Sequence, residues 1–148
     1  MTLEKFREIG SLSGTTYEIL IELIERKEKE KIWKKRESLY GLCLILSFSG
    51  LILFLLFFQK NRIESLPGLI RFLNDPVFWM LGGACLVTAF IFLRTHHEAE
   101  SAEDDFDELR KEVIDRGEEL WPKEADGSTR YAVIQFLLKK KEINLFYK

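Results

Sequence analysis

The chain has 148 residues, of which 47% are apolar and 31% charged, with a net charge of −2. This length allows at most one domain of ordinary size, and none of the segments 1–38, 59–75 and 94–148 has the one-sided basic charge of a nucleic-acid-binding protein. The two cysteines, Cys43 and Cys85, both lie in apolar stretches, which excludes a disulfide framework of the secreted kind.

Residues 1–38 are predicted to form a cytoplasmic helical segment. The sequence TTYE, which starts at Thr15, has the pattern of a capping box and predicts a helix with Thr15 as its N-cap. Because no Gly or Pro lies between Thr15 and Tyr40, we expect one helix to continue into the apolar stretch that follows. Charges at helical spacing, such as Glu22 and Arg26, predict ion pairs along its polar face.

Residues 39–58 are predicted to be the first of two transmembrane helices. Twenty residues without a charge, at about 1.5 Å each, give roughly 30 Å of helix, which is the thickness of a hydrocarbon core. The alternative is a cleaved signal peptide. The stretch is longer than the apolar part of such a peptide and has no A-x-A-like cleavage site.

Residues 59–75 are predicted to be an external connector, and residues 76–93 the second transmembrane helix. Apolar residues in the connector predict a short helix lying in the outer membrane interface. Asp75 followed by Pro76 predicts the start of the second helix, with a capping carboxylate and then proline at the first helical position. The alternative for both apolar stretches is a two-helix core of a soluble protein.

Lysine and arginine residues predict the orientation in the membrane. Residues 24–38 contain seven of them, and the connector contains three. Loops rich in Lys and Arg stay on the cytoplasmic side. The sequence therefore predicts an all-α protein of the plasma membrane, in which a transmembrane helical hairpin has both termini in the cytoplasm.

Small residues at helical spacing predict where the two transmembrane helices meet, because lipid gives helices no hydrophobic reason to pair. They are Cys43, Ser47 and Gly50 in the first helix, and Gly82, Cys85 and Ala89 in the second. The antiparallel arrangement is expected to place Ala89 opposite Cys43, Cys85 opposite Ser47, and Gly82 opposite Gly50. Both cysteines are thereby expected to be packing residues, without a disulfide between them.

Residues 94–148 are predicted to form a cytoplasmic helical tail. The sequence SAED at Ser101 predicts the N-cap of an acidic helix that ends at Trp121. Its apolar stripe and the apolar segment from Tyr131 to Leu138 are expected to pack with the N-terminal helices into a small bundle. The alternative for the last segment is that its apolar face and lysines lie on the inner leaflet.

No cluster of residues predicts a chemical reaction. His96 and His97, with Glu98 and Glu100, resemble metal ligands, but the chain has no further histidine to complete a zinc site. The acidic stretch 103–108 lacks the alternation and central glycine of a calcium loop. We therefore expect no catalytic residue, no metal and no cofactor, and a protein that is not an enzyme.

Three short motifs carry a resemblance to a known family. They are KKRESLYG before the first apolar stretch, ELWP in the tail, and the C-terminal INLFYK. With these motifs the chain resembles the YpbF-type family of small membrane proteins from bacilli. The resemblance implies a bacterial plasma-membrane protein with two transmembrane helices and unknown function, and it implies no site residues.

The predicted function is that of an adaptor or accessory subunit embedded in the lipid bilayer. Residues 15–36 and 101–148 are expected to bind a protein partner or a second copy of the chain. The alternative is a small pore-forming protein of the holin kind. Neither apolar stretch has a polar stripe along it, which disfavours a pore.

Overall fold

The computed structural model describes residues 3–8, 12–58, 66–121 and 127–146, and within these ranges the chain is all-helical. This confirms the predicted all-α class for the described residues. The helices in chain order are α1 (Leu3–Glu8), α2 (Gly14–Phe58), α3 (Leu66–Leu73), α4 (Pro76–Asp115), α5 (Gly117–Leu120) and α6 (Gly127–Phe136), and a π-helical turn at Leu137–Lys141 continues α6.

The chain forms two compact units. The first, here called the core unit, consists of Met1–Ile32 and Glu100–Lys148, and the second, here called the apolar unit, consists of Trp33–Ala99. The predicted boundaries divide the chain at the points where it is expected to enter or leave a membrane, which gives the segments 1–38, 39–58, 59–75, 76–93 and 94–148. The two compact units instead divide the chain by which residues pack together. The boundaries at the membrane therefore stay a prediction.

The N-cap of helix α2 lies two residues earlier than predicted. The N–H of Thr16 donates to Oγ of Ser13 at 3.1 Å, and the N–H of Tyr17 donates to the carbonyl of Ser13 at 3.0 Å. Ser13 is therefore the N-cap, and the prediction of Thr15 was wrong because Thr15 already lies in the first turn. The prediction that this helix continues past Tyr40 without a break is confirmed.

Thr16 connects the start of α2 to the end of α5. Its side chain is 1% exposed, and its hydroxyl donates to the carbonyl of Leu120 at 2.5 Å. That carbonyl lies near the end of a short helix, where backbone acceptors have no partner within the helix. The Thr16 hydroxyl thus satisfies a buried acceptor that is 104 residues away in sequence.

One buried cluster holds the core unit together. It takes side chains from both ends of the sequence: Leu3, Phe6, Leu12, Leu20, Leu23, Ile24, Phe106, Leu109, Val113, Leu120, Trp121, Val133, Ile134, Leu137, Ile143 and Leu145. The apolar stripe predicted along the acidic helix is among them. A single helix cannot bury its own apolar stripe, so the cluster forms only when these helices pack against one another.

Helix α4 begins as predicted but continues further than predicted. The N–H of Val77 donates to Oδ1 of Asp75 at 3.0 Å, which confirms the cap ahead of Pro76. The predicted N-cap at Ser101 was wrong, because α4 continues through it to Asp115. No Gly or Pro lies between residues 84 and 115, so nothing in the local sequence interrupts the helix there. The short helix predicted in the connector is confirmed as α3.

The chain turns back after α6. Glu142 has a φ of 59°, and the N–H of Ile143 donates to the carbonyl of Leu137 at 3.1 Å. This left-handed residue ends the helix in the manner of a C-terminal cap. The ring of Phe146 consequently lies against Tyr131, with centroids 6.2 Å apart.

We predict that Thr16→Val destabilises the core unit. Valine keeps the volume of threonine but leaves the buried carbonyl of Leu120 without a donor, which costs about 1–3 kcal/mol. Denaturant unfolding of the full chain in mild detergent measures the change. Thr15→Val is the matched control, because Thr15 is exposed, and an equal loss in both variants would contradict the role of this hydrogen bond.

Candidate functional site

Helices α2 and α4 each contain a stretch that is long and apolar enough to cross a membrane. In α2 none of the most apolar eighteen residues is buried, and in α4 only 6% are. Phe57 is 78% exposed and Leu86 is 74% exposed. A core helix of a soluble protein buries most of its large apolar side chains. These stretches instead present a continuous apolar surface, of the kind that contacts lipid or another protein.

The six small residues predicted to pair the helices all lie on the less exposed faces of α2 and α4. Cys85 is buried, and Cys43, Ser47, Gly50, Gly82 and Ala89 are half-buried. A Cβ atom added at Gly50 or Gly82 would meet no neighbouring atom within 4 Å. The three proposed pairs of residues stay a prediction.

Two contacts between α2 and α4 were not foreseen from the sequence. A Cβ atom added at Gly41 would lie 3.3 Å from Cε2 of Phe92, and Nδ1 of His96 lies 2.6 Å from Oε1 of Glu37. The rings of Phe92 and His96 are stacked, with centroids 6.0 Å apart. The sequence signal for these contacts is a spacing of four residues in each helix. Glu37 and Gly41 share one face of α2, and Phe92 and His96 share one face of α4.

These contacts fix an antiparallel register within the apolar unit. In both contacts the two residue numbers add to 133, and in the predicted pairs they add to 132. In two antiparallel helices the residue number rises along one helix while it falls along the other, so the sum of the two numbers stays nearly constant from contact to contact. The sums of 133 and 132 therefore correspond to registers that differ by about one residue. The two helices approach closely at Gly41.

Hydroxyl groups in the apolar stretches hydrogen-bond within their own helix. Ser47 donates to the carbonyl of Cys43 at 2.8 Å, and Thr88 donates to that of Ala84 at 2.9 Å. Ser49 does the same toward Ile45 at 2.8 Å. Unpaired polar groups are costly in a medium without water. These bonds therefore make the stretches compatible with hydrocarbon.

Trp79 connects α3 to the start of α4. Its indole Nε1–H donates to the carbonyl of Leu73 at 2.7 Å, while the ring remains largely exposed. Tryptophan with an apolar ring and a satisfied N–H is typical of the boundary between lipid and water. The contact is consistent with the predicted interfacial position of the connector helix.

The core unit has a groove between α2 and α4 with a volume of about 170 Å³. Its apolar floor includes Leu109 and Val113, and charged residues line its edge. At that edge Arg116 Nη1 lies 2.8 Å from Oε1 of Glu112. Hydrogen bonds that Arg116 donates to the carboxylates of Glu112 and Glu119 raise the pKa of its guanidinium, so this position keeps its positive charge. The groove thus combines buried apolar side chains with exposed charged ones.

Among the residues that the structure describes, no three His, Cys, Asp or Glu side chains are grouped to hold a metal ion. The histidine that resembled a metal ligand, His96, contacts Glu37. The expectation that the protein has no catalytic residue and no cofactor stays a prediction.

Comparison with known proteins gives a family and one curated relative. The family model described as "Protein of unknown function (DUF2663)" matches residues 19–148. The chain is 32% identical over 75 residues to the uncharacterized protein YpbF of Bacillus subtilis strain 168. That match covers 49% of the chain and 48% of YpbF, about half the length of each. No solved structure matches the chain. The resemblance to the YpbF-type family is confirmed.

We predict that Gly41→Leu separates α2 from α4, because a leucine side chain must displace the Phe92 ring. The measurement is cross-linking of the full chain carrying E37C and H96C by a short thiol-specific reagent, and we expect a several-fold loss. Gly50→Leu is the comparison, since a Cβ at Gly50 meets nothing within 4 Å. A loss with Gly50→Leu alone would instead favour the pairing predicted from small residues.

Proposed function

The chain belongs to the DUF2663 family, whose function is unknown, and we propose that it is a non-enzymatic protein of the bacterial plasma membrane with two transmembrane helices. The observation that carries the proposal is the exposure of two long apolar stretches within one folded chain. In this proposal residues 39–58 and 76–93 cross the bilayer as an antiparallel pair. Residues 59–75 connect them on the outside.

Two observations support a cytoplasmic location for both termini. Residues 24–38 contain seven Lys and Arg, and residues 59–75 contain three, which favours the N-terminal segment inside. In addition, residues before the first stretch and after the second share one buried cluster. Side chains can share a core only on the same side of a membrane, so an even number of crossings is required.

We predict that the full chain stays in the membrane fraction after alkaline extraction and has both termini inside. A reporter active only outside the plasma membrane is expected to be silent when fused after Lys148 and active when inserted in the connector 59–75. The reverse pattern would contradict the orientation. Release of the chain by alkaline extraction would contradict the membrane proposal itself.

In the same proposal the protein acts as an adaptor. Its cytoplasmic helices form a small bundle, and residues 15–36 and 101–148 bind a protein partner or a second copy of the chain. The groove supports this role, since its floor is apolar and Glu22, Glu112 and Arg116 lie at its edge. An apolar floor with a charged edge is the general composition of a protein-binding surface.

Deletion of the tail is a poor test of the adaptor proposal, because the tail contributes side chains to the shared core. Deleting residues 94–148 would remove many members of the buried cluster, so loss of binding would then report loss of folding. A single position at the edge of the groove is a sharper probe than a deletion.

We expect that a photo-crosslinking amino acid in place of Glu112 gives one discrete adduct in living cells. The same amino acid in place of Glu118 is the matched control, since Glu118 is exposed but does not line the groove. Mass spectrometry of the adduct identifies either a partner or a second copy. No adduct from position 112, or the same adducts from both positions, would contradict binding at the groove.

A further inference from the structure

Charge is divided unevenly along the C-terminal tail. Residues 94–126 contain 5 basic and 13 acidic side chains, a net charge of −8, whereas residues 127–148 contain 5 basic and 1 acidic side chain, a net charge of +4. Three of these basic residues are consecutive, Lys139, Lys140 and Lys141, and lie in the π-helical turn that ends α6. The turn is thus a basic site in a tail that is otherwise acidic.

The first turn of α6 lies near the start of α2. The guanidinium of Arg130 is 6.0 Å from the ring centroid of Trp121, and the preceding residue, Leu120, accepts the hydrogen bond from Thr16. Thr16 is in the first turn of α2. Helix α6 therefore begins at the end of the core unit that holds the first turn of α2.

The π-helical turn lies at the opposite end of the core unit. Lys141 Nζ is 2.7 Å from Oε1 of Glu28, and Lys31 Nζ is 2.8 Å from Oε2 of Glu142. Each lysine lowers the pKa of its partner by a hydrogen bond and by its charge, so both carboxylates remain ionised. Lys31 precedes Leu39, the first residue of the predicted transmembrane helix, by only eight residues, about 12 Å of helix.

Lys139 and Lys140 are not used by these ion pairs. Both are exposed, and no carboxylate in the part of the chain that the structure describes pairs with either of them. The ammonium of Lys140 lies 6.0 Å from the ring centroid of Phe136, and the Lys140 side chain is exposed. Glu28 and Glu142, the carboxylates that the neighbouring segments present, are already paired. Two positive charges therefore face solvent.

Apolar side chains accompany these charges. Leu138 is 36% exposed and Ile32, next to Lys31, is 54% exposed, whereas Leu137 is buried in the core. A rigid turn that presents lysines together with exposed aliphatic side chains suits the boundary between headgroups and acyl chains, where lysines reach outward to phosphates.

We propose that the turn Leu137–Lys141 binds the phosphate groups of anionic lipids at the cytoplasmic surface of the membrane. The inference rests on the proposed transmembrane arrangement, which brings the Ile32 end of α2 to that surface. Anionic lipids attract basic segments within about a Debye length, roughly 10 Å at 0.1 M salt. Lys139 and Lys140 supply the charge, and Leu138 supplies the apolar contact. The turn thereby holds the core unit against the inner leaflet.

The test uses the full chain in nanodiscs of phosphatidylcholine, with or without phosphatidylglycerol. An environment-sensitive fluorophore is attached to L138C in a chain that carries C43A and C85A, and lipids with a nitroxide headgroup quench it. We expect strong quenching with phosphatidylglycerol and loss of that gain in K139E/K140E. The probe on E118C, in the acidic part of the tail, should show no such dependence.

Lys111→Glu is the charge-reversal control, because Lys111 is exposed on α4 and is not part of the turn, and it should leave the quenching unchanged. Equal quenching in both lipids, or quenching that survives K139E/K140E, would overturn the proposal. If protection of the fluorophore depends on the number of chains per nanodisc and not on lipid charge, the surface binds a second copy, and the lipid proposal is overturned. Release of the chain from the membrane by alkaline extraction would contradict the transmembrane proposal. Alkaline extraction and quenching therefore test the transmembrane proposal and the lipid proposal separately.

Discussion

The structure depends on where apolar side chains are placed relative to water. One set closes the core unit, and a second set covers the surfaces of α2 and α4. Exposure of apolar surface to water costs about 25 cal/mol for each Å², so a surrounding of lipid or of another protein would stabilise the second set. Helices suit such a surrounding because their backbone groups, and here their Ser and Thr hydroxyls, are paired internally.

The core unit imposes the second constraint, because it is built from the two ends of the sequence. The hydrogen bond from Thr16 to the carbonyl of Leu120 and the ion pair between Lys141 and Glu28 each join residues more than a hundred positions apart. Contacts of this kind form only after both ends have come together. The two apolar stretches therefore lie in the chain between two segments that share one core.

Prediction from sequence succeeded where local chemistry decides. The cap at Asp75, the continuous α2 and the helical connector follow from residues within a few positions of one another. It failed at Ser101, where a capping pattern occurs inside a helix that nothing interrupts. The pattern of a cap favours a helix start but does not by itself establish one, since Ser also occurs in helix interiors.

The sequence by itself determined the all-helical class, the family, and two apolar stretches of membrane-spanning length, because periodicity and composition are local properties. Only the tertiary structure decided that α2 and α4 approach each other at Gly41 and Phe92, and that the last segment buries Leu137 while it leaves Leu138 and two lysines outside. Such contacts depend on the relative rotation and depth of packed helices. A pattern within one helix leaves several rotations open, and only packing against the others selects one.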